Sequence, residues 1–296
     1  MLAPEALPYH RRDASLAPRP VTGVRKIARG ISGLARSGGG AAPPARNEPP
    51  ATPPGWIVAP PDFVGVGTAR SGTTWWDELI HTHPLVHRAE GVPKEVHFFD
   101  RFWDGSYREA DAATYARFFP RPAGGRAGEW TPGYMVDFWI PALLRRAAPE
   151  ARLLVLLRDP IERFRSGVTL TENRLTLAWT ARAAANGGFQ RGCYADQLLR
   201  LWSIFPREQV LVLQFERCVR DPRGELRRTF AFLGLDPDAA DAIDVDRRVN
   251  ESRVAKTELR PDQRAALADA YAPENARLAA LLPDDFDPSL WSGFGR

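Results

Sequence analysis

Pro61-Asp-Phe-Val-Gly-Val-Gly-Thr-Ala-Arg-Ser-Gly-Thr-Thr-Trp75 reads as a buried strand, a glycine-rich turn and the opening of a helix. Phe63, Val64 and Val66 form a short apolar run suited to a central parallel strand. Gly65, Gly67 and Gly72 permit close backbone approach and positive φ. Ser71, Thr73 and Thr74 bring hydroxyls and backbone N–H groups to a helix N-terminus, where an anion is favoured. The step from Gly67 to Gly72 is that of a phosphate-binding G-x-x-x-x-G loop, but the lysine that should follow is Thr73. The nearest cation is Arg70, inside the loop, which disfavours an ordinary ATP or GTP hydrolase. A glycine turn that serves no ligand is the plainer alternative.

The 296 residues, 44% of them hydrophobic, suffice for one large α/β core. The net charge of +4 is unevenly held. Residues 1–55 carry eight Arg/Lys against three acids, leaving 32 basic against 33 acidic residues beyond them. The basic balance therefore belongs to the N-terminal stretch and gives no case for nucleic acid as a partner. Cys193 and Cys218 are too few and too far apart for a disulfide framework or a zinc knuckle. With no long apolar run and no secretory-type N-terminus, the expectation is a cytoplasmic protein. Three lysines, Lys26, Lys94 and Lys256, accompany 37 arginines, so an arginine in a lysine's usual place is less surprising.

Residues 1–55, rich in Pro, Gly, Ala and Arg, are read as a disordered basic arm, and 56–296 as the folded domain. Within the arm, Val24, Ile27, Ile31 and Leu34 at helical spacing beside four basic residues suggest a weak membrane-surface or partner contact over residues 21–36. Gly23, Gly30 and Gly33 argue against that helix. Beyond the cradle, a helix is expected from Thr73 to His83, ended by Pro84. In Pro93-Lys-Glu-Val-His-Phe-Phe-Asp100 an extended chain puts Glu95 and His97 on one face and Val96 and Phe98 on the other; an edge strand with a solvated side is the bland reading. Thr131-Pro-Gly133 is a turn, Ile140–Ala148 a helix, and Arg152–Leu157 the plainest strand, apolar on both faces. It runs into Arg158-Asp-Pro and a helix opening at Pro160, at a strand C-terminus where open α/β sheets bind ligands. Residues 167–191 give few regular signals and are expected to cover a site. A helix over Tyr194–Phe205, a strand over Val210–Phe215, and helices over Asp221–Leu233 and Pro261–Tyr271 complete a single core.

These pieces in this order resemble the sulfotransferases that use 3′-phosphoadenosine 5′-phosphosulfate (PAPS), over about residues 60–280. The glycine turn looks like that family's 5′-phosphosulfate loop, and Arg158 to Ser166 like its 3′-phosphate motif. Lys94-Glu-Val-His-Phe-Phe with Asp100 is similar to the Lys-Glu-x-His-Phe-Phe element of the heparan sulfate branch. The resemblance implies a three-layer α/β fold of the P-loop NTPase type, with a central, mostly parallel sheet flanked by helices. It implies PAPS as sulfuryl donor, released as adenosine 3′,5′-bisphosphate, with no metal required. The acceptor would be a hydroxyl or amine of a sugar, lipid or small metabolite.

Carried over by position, Arg70, Ser71, Gly72, Thr73 and Thr74 would hold the 5′-phosphosulfate, Arg158 and Ser166 the 3′-phosphate, and Trp75 the adenine. Arg253 and Lys256, in a basic C-terminal loop, would add to the 3′-phosphate unless they form a solvated charge cluster. Glu95 would be the general base, with Arg70 at the leaving oxygen and His97 as a neighbouring catalytic group. Lys94, Asp100, Trp130 and Tyr134 would meet the acceptor. Two departures matter: the loop lysine is Arg70, and the branch's Glu-Lys-Ser-Pro is Glu129-Trp-Thr-Pro132, which points to a less charged or ring-stacking acceptor. A P-loop kinase and a nucleotide-binding module without chemistry are the competing readings.

Overall fold

The computed structural model describes residues 48–172, 178–245 and 258–292. The proposed arm helix, and Arg253 and Lys256, lie outside these residues.

Four parallel strands form the central sheet: β2 (Phe63–Gly67), β4 (Gly128–Trp130), β5 (Arg152–Leu157) and β6 (Val210–Gln214), in the order β4-β2-β5-β6. A small antiparallel pair, β1 (Ile57–Val58) with β3 (Pro120–Arg121), stands apart from it. The three long strands lie where the apolar runs predict them. The three-residue β4 and the two-residue pair were hidden in stretches too short for an alternating pattern to register.

Alternation along the strands divides the core into two clusters, where a single one was expected. Leu153, Val155 and Leu157 of β5 join Val210 and Val212 of β6 in one cluster; Leu154, Leu156, Leu211 and Leu213 join the other. Both faces of the sheet are therefore covered, as parallel strands require. Helices α1 (Thr73–Ile80), α2 (Glu109–Ala116), α3 (Ile140–Ala147), α4 (Pro160–Glu172), α5 (Ala178–Gln190), α6 (Tyr194–Trp202), α7 (Phe215–Arg220), α8 (Pro222–Leu233) and α9 (Pro261–Leu281) flank it. Asp221 caps α8 by accepting from the Gly224 N–H, and Gly234 ends it in the left-handed conformation at φ 69°. None of the described helices is long and apolar enough to cross a membrane.

Two expectations are corrected. Residues 167–191 are helical through Glu172 and again from Ala178, with Gly187-Gly188 inside α5. The alanine-rich run outweighs the two glycines. Residues 93–100 are not an edge strand: the segment is irregular and enters a 3-10 turn at Asp100–Phe102.

Gly65 is required by close approach. A Cβ there would lie 2.1 Å from the indole ring of Trp130. Gly65→Ala is expected to destabilise the fold by about 1–3 kcal/mol through overpacking, lowering Tm by roughly 3 to 10 °C in a thermal melt. An unchanged Tm would show that Trp130 can move aside.

Candidate functional site

The site forms where β2 ends and α1 begins. Thr68 is held by its neighbour strand, its N–H and its hydroxyl both donating to the Leu156 carbonyl at 3.1 and 2.8 Å. Its hydroxyl also lies 2.5 Å from that of Ser71. Ser71 is fully buried, so its hydroxyl is engaged within the loop and its backbone N–H is what it can offer an anion. Gly72 takes φ 83°, and a Cβ there would meet the Phe215 ring at 2.5 Å, so only glycine fits on both counts.

As the N-cap of α1, Gly72 brings no side-chain hydrogen bond, and the first turn of α1 holds no acidic residue. The N–H groups that open this helix thus lack a built-in anionic partner, as a phosphate site requires. Arg70, at φ 71°, donates from Nε to Ser166 Oγ at 3.0 Å. Arg158 donates to the Arg70 carbonyl at 3.2 Å and lies over the Phe215 ring, 4.9 Å from its centroid. Burial, and then the Arg158 charge, lower the pKa of Arg70. Among the described residues neither arginine forms a salt bridge, and an anion between them would relieve their repulsion. The structure thus brings Arg70, Arg158 and Ser166 together beside the cradle. Trp75 is half-buried, edge-on to Phe215 at 6.2 Å. Phe215, the first residue after a strand, carried no sequence signal for this place.

Opposite the cradle lies the segment around Glu95. Its Lys94 ammonium donates to Thr73 Oγ1 and to Glu95 Oε1, both at 3.1 Å. His97 bridges two carboxylates, Nε2 to Glu95 Oε2 at 3.2 Å and Nδ1 to Asp100 Oδ2 at 2.8 Å. Hydrogen bonds to Asp100 and then to Glu95 outweigh burial and push the His97 pKa up to about 10. At neutral pH His97 is therefore an imidazolium, a donor rather than a base. Burial raises the Glu95 carboxyl, but the His97 hydrogen bond and the Lys94 ammonium more than offset it and hold the group below its ordinary value. Glu95 is ionised and able to accept a proton.

His97 takes φ 53°, and Arg70 and His97 are the two non-glycine positions with positive φ among the described residues. Such conformations cost of order 1–3 kcal/mol each and gather at functional sites. Asp137 lies within electrostatic reach of Asp100 and His97: burial raises its pKa first, while Asp100 acts in the same direction and Arg191, Arg200 and His97 oppose. The sequence reading missed Asp137 because nothing in the pattern of residues 135–139 ties it to Glu95.

Trp130 and Tyr134, expected at the acceptor, are both fully buried. The Trp130 indole N–H donates to the Gly67 carbonyl at 3.0 Å, and the Tyr134 hydroxyl accepts from the Phe98 N–H at 2.8 Å. They brace the cradle and the Glu95 segment from below, and the case for a ring-stacking acceptor built on Trp130 falls with this. Glu129, also fully buried, accepts from the Val96 N–H at 2.9 Å, from the Tyr115 hydroxyl at 2.6 Å and from the Thr131 hydroxyl at 2.5 Å. It fixes the backbone between Glu95 and His97.

Comparison with known proteins agrees with this geometry. The profile described as "Sulfotransferase family" matches residues 100–239. The mouse "Heparan sulfate glucosamine 3-O-sulfotransferase 3B1" is 35% identical over 188 residues, 59% of this chain and 46% of the relative. The mouse "Heparan sulfate glucosamine 3-O-sulfotransferase 6" is 33% identical over 216 residues, 65% of this chain and 61% of the relative. The chain thus spans about half to three fifths of the length of these curated relatives. Among solved structures, a sulfotransferase from Alicyclobacillus acidocaldarius superposes with a TM-score of 0.59 at 28% identity, over 77% of this chain and 98% of that one. The parallel sheet, the glycine cradle and the matched segment agree in making the chain similar to the sulfotransferase family.

Proposed function

We propose that this protein transfers a sulfuryl group from PAPS to a hydroxyl, or amine, of an acceptor, with Glu95 as general base. One observation carries the reading: Lys94 links the Glu95 carboxylate to Thr73 at the mouth of an uncapped helix, which sets a proton acceptor beside an anion cradle. The backbone N–H groups of Ser71 to Thr74 would hold the 5′-phosphosulfate, and Arg158 with Ser166 the 3′-phosphate. Trp75 and Phe215 offer ring edges and faces for the adenine. As the acceptor attacks it loses a proton to Glu95, a contribution typically worth 10²–10⁴ in rate. Cations and N–H donors around the departing phosphate oxygen each contribute about 10²–10³.

The relatives named for heparan sulfate glucosamine make a sugar the first acceptor class to test. Around Glu95 the carboxylates are matched by the Lys94 ammonium and the His97 imidazolium, so the charge there selects neither a neutral sugar nor a polyanion.

Calorimetry with adenosine 3′,5′-bisphosphate tests the donor side. Binding is expected without Mg²⁺ and is expected to weaken by about tenfold or more in Arg158→Ala, which loses a charge-assisted contact to phosphate. A requirement for Mg²⁺ together with a preference for ATP would overturn the reading in favour of a kinase.

A further inference from the structure

The cradle lacks the lysine that the loop should carry, and Arg70, the loop cation, is drawn aside to Ser166. Lys94 stands in the gap from the other side. Its side chain is 13% exposed, and its Nζ reaches Thr73, the first residue of α1, while also holding Glu95. Its backbone is fixed as well, since the Lys94 carbonyl accepts from the Trp130 N–H at 2.9 Å. An ammonium has three protons; among the described residues Thr73 and Glu95 take two, which leaves one to meet a group lying between the cradle and Glu95.

We propose that Lys94 supplies the cation missing from the loop, donating hydrogen bonds to the sulfuryl oxygens during transfer, while Arg70 serves the phosphate side. This inference rests on the sulfuryl-transfer reading. In the step it assists, a lone pair of the acceptor oxygen forms the new O–S bond. The S–O bond to the 5′-phosphate breaks, and its electron pair stays on the phosphate oxygen. The acceptor proton passes to Glu95, and Lys94 keeps all three of its own. A compact ammonium on a short tether suits a group that changes from tetrahedral to planar and back; a guanidinium fork bound to Ser166 is less able to follow it.

The test compares Lys94→Met with the parent chain in three measurements. Calorimetry is expected to show affinity for adenosine 3′,5′-bisphosphate within about threefold of the parent, but affinity for intact PAPS reduced about tenfold or more, the size of one charge-assisted hydrogen bond. Turnover is expected to fall by about 10²–10³ at every pH, as for loss of a transition-state donor. In the third, adding Arg70→Lys to Lys94→Met returns a lysine to the loop and is expected to recover at least about tenfold of the lost turnover.

Near-normal turnover in Lys94→Met, equal weakening of both nucleotides, or no recovery in the double variant would overturn the proposal. So would a loss confined to low pH with the acid limb moved upward, because Lys94 would then act only by holding Glu95 ionised. If Lys94→Met unfolds in a thermal melt, Lys94→Gln, which removes the charge but keeps a polar side chain for Thr73 and Glu95, carries the same comparison of the two nucleotides. Failure of the parent chain to bind either nucleotide would instead overturn the sulfuryl-transfer reading itself.

Discussion

Glu95→Gln is expected to lower turnover by at least about 10²-fold while leaving affinity for adenosine 3′,5′-bisphosphate within about threefold. The amide keeps the shape of the side chain, and its oxygen can still accept from Lys94 or from His97, which bond different carboxylate oxygens, but it cannot take a proton from the acceptor. The nucleotide contacts assigned to Arg158, Ser166 and the α1 N-terminus do not involve it. The pH profile of kcat/KM carries the same argument. A group with a lowered pKa acts only above that value, so activity is present through the neutral range and is lost as pH falls through a limb below the ordinary glutamate value. On the other side, His97 gives up its proton as pH rises through about 10, removing the cation that holds Glu95 in place. Near-normal turnover in Glu95→Gln would assign the base to another carboxylate of the cluster, Asp100 or Asp137.

Removal of Glu129 is expected to be the most damaging change away from the reacting atoms. Glu129→Ala leaves the Val96 N–H, the Tyr115 hydroxyl and the Thr131 hydroxyl without their acceptor in a fully buried place. At about 1–3 kcal/mol for each unsatisfied group, the loss is at least about 3 kcal/mol, or roughly 6 to 12 °C in Tm. Turnover should fall with it, because Val96 lies between Glu95 and His97. Glu129→Gln is the milder variant: its oxygen can serve Val96 and Thr131 while its amide donates to a turned Tyr115 hydroxyl. Burial raises the Glu129 pKa, opposed by the bonds from Thr131, Tyr115 and Val96. The folded carboxyl therefore keeps its proton to higher pH than the unfolded one. Its contribution declines as pH rises from the ordinary carboxylate range towards the raised folded value. Thermal melts of the three proteins across pH 4 to 8, a range set at about the ordinary carboxylate values and upward, check both points. A Glu129→Ala protein as stable as the parent would sink the claim that this network pins the segment from Glu95 to His97.

What the sequence disclosed and what it withheld follow from the range of the interactions involved. Arg152–Leu157 declared itself because a strand covered on both faces is apolar at every position, and α1 because glycine, hydroxyls and Pro84 bracket it. Glu95 and His97 do meet, as an extended reading places them, but in an irregular segment with His97 at φ 53°, a conformation that alternation does not foretell. Trp130 and Tyr134 were misplaced because an aromatic residue in a polar stretch looks the same from the sequence whether it faces solvent or braces a loop from beneath. Only the three-dimensional contact of Trp130 with Gly65 and Gly67 separates the two cases. Asp137 and Phe215 were out of reach for the same reason, each being brought to the site by packing alone.

The hydrogen bond from Trp130 to the Lys94 carbonyl has a consequence for how acceptors can enter. β4 is the last strand on its side of the sheet, and a bare outer strand is a template for pairing with another chain. The Glu95 segment lies against that margin, where the Lys94 carbonyl takes the Trp130 N–H. A wide swing of this segment would admit larger acceptors only by exposing a surface prone to aggregation, so a hinged flap is a poor solution here. Entry is left to the solvent side, where Glu95, His97 and Asp100 remain partly exposed, and this favours acceptors presented as a chain end or a projecting hydroxyl over ones that must be engulfed.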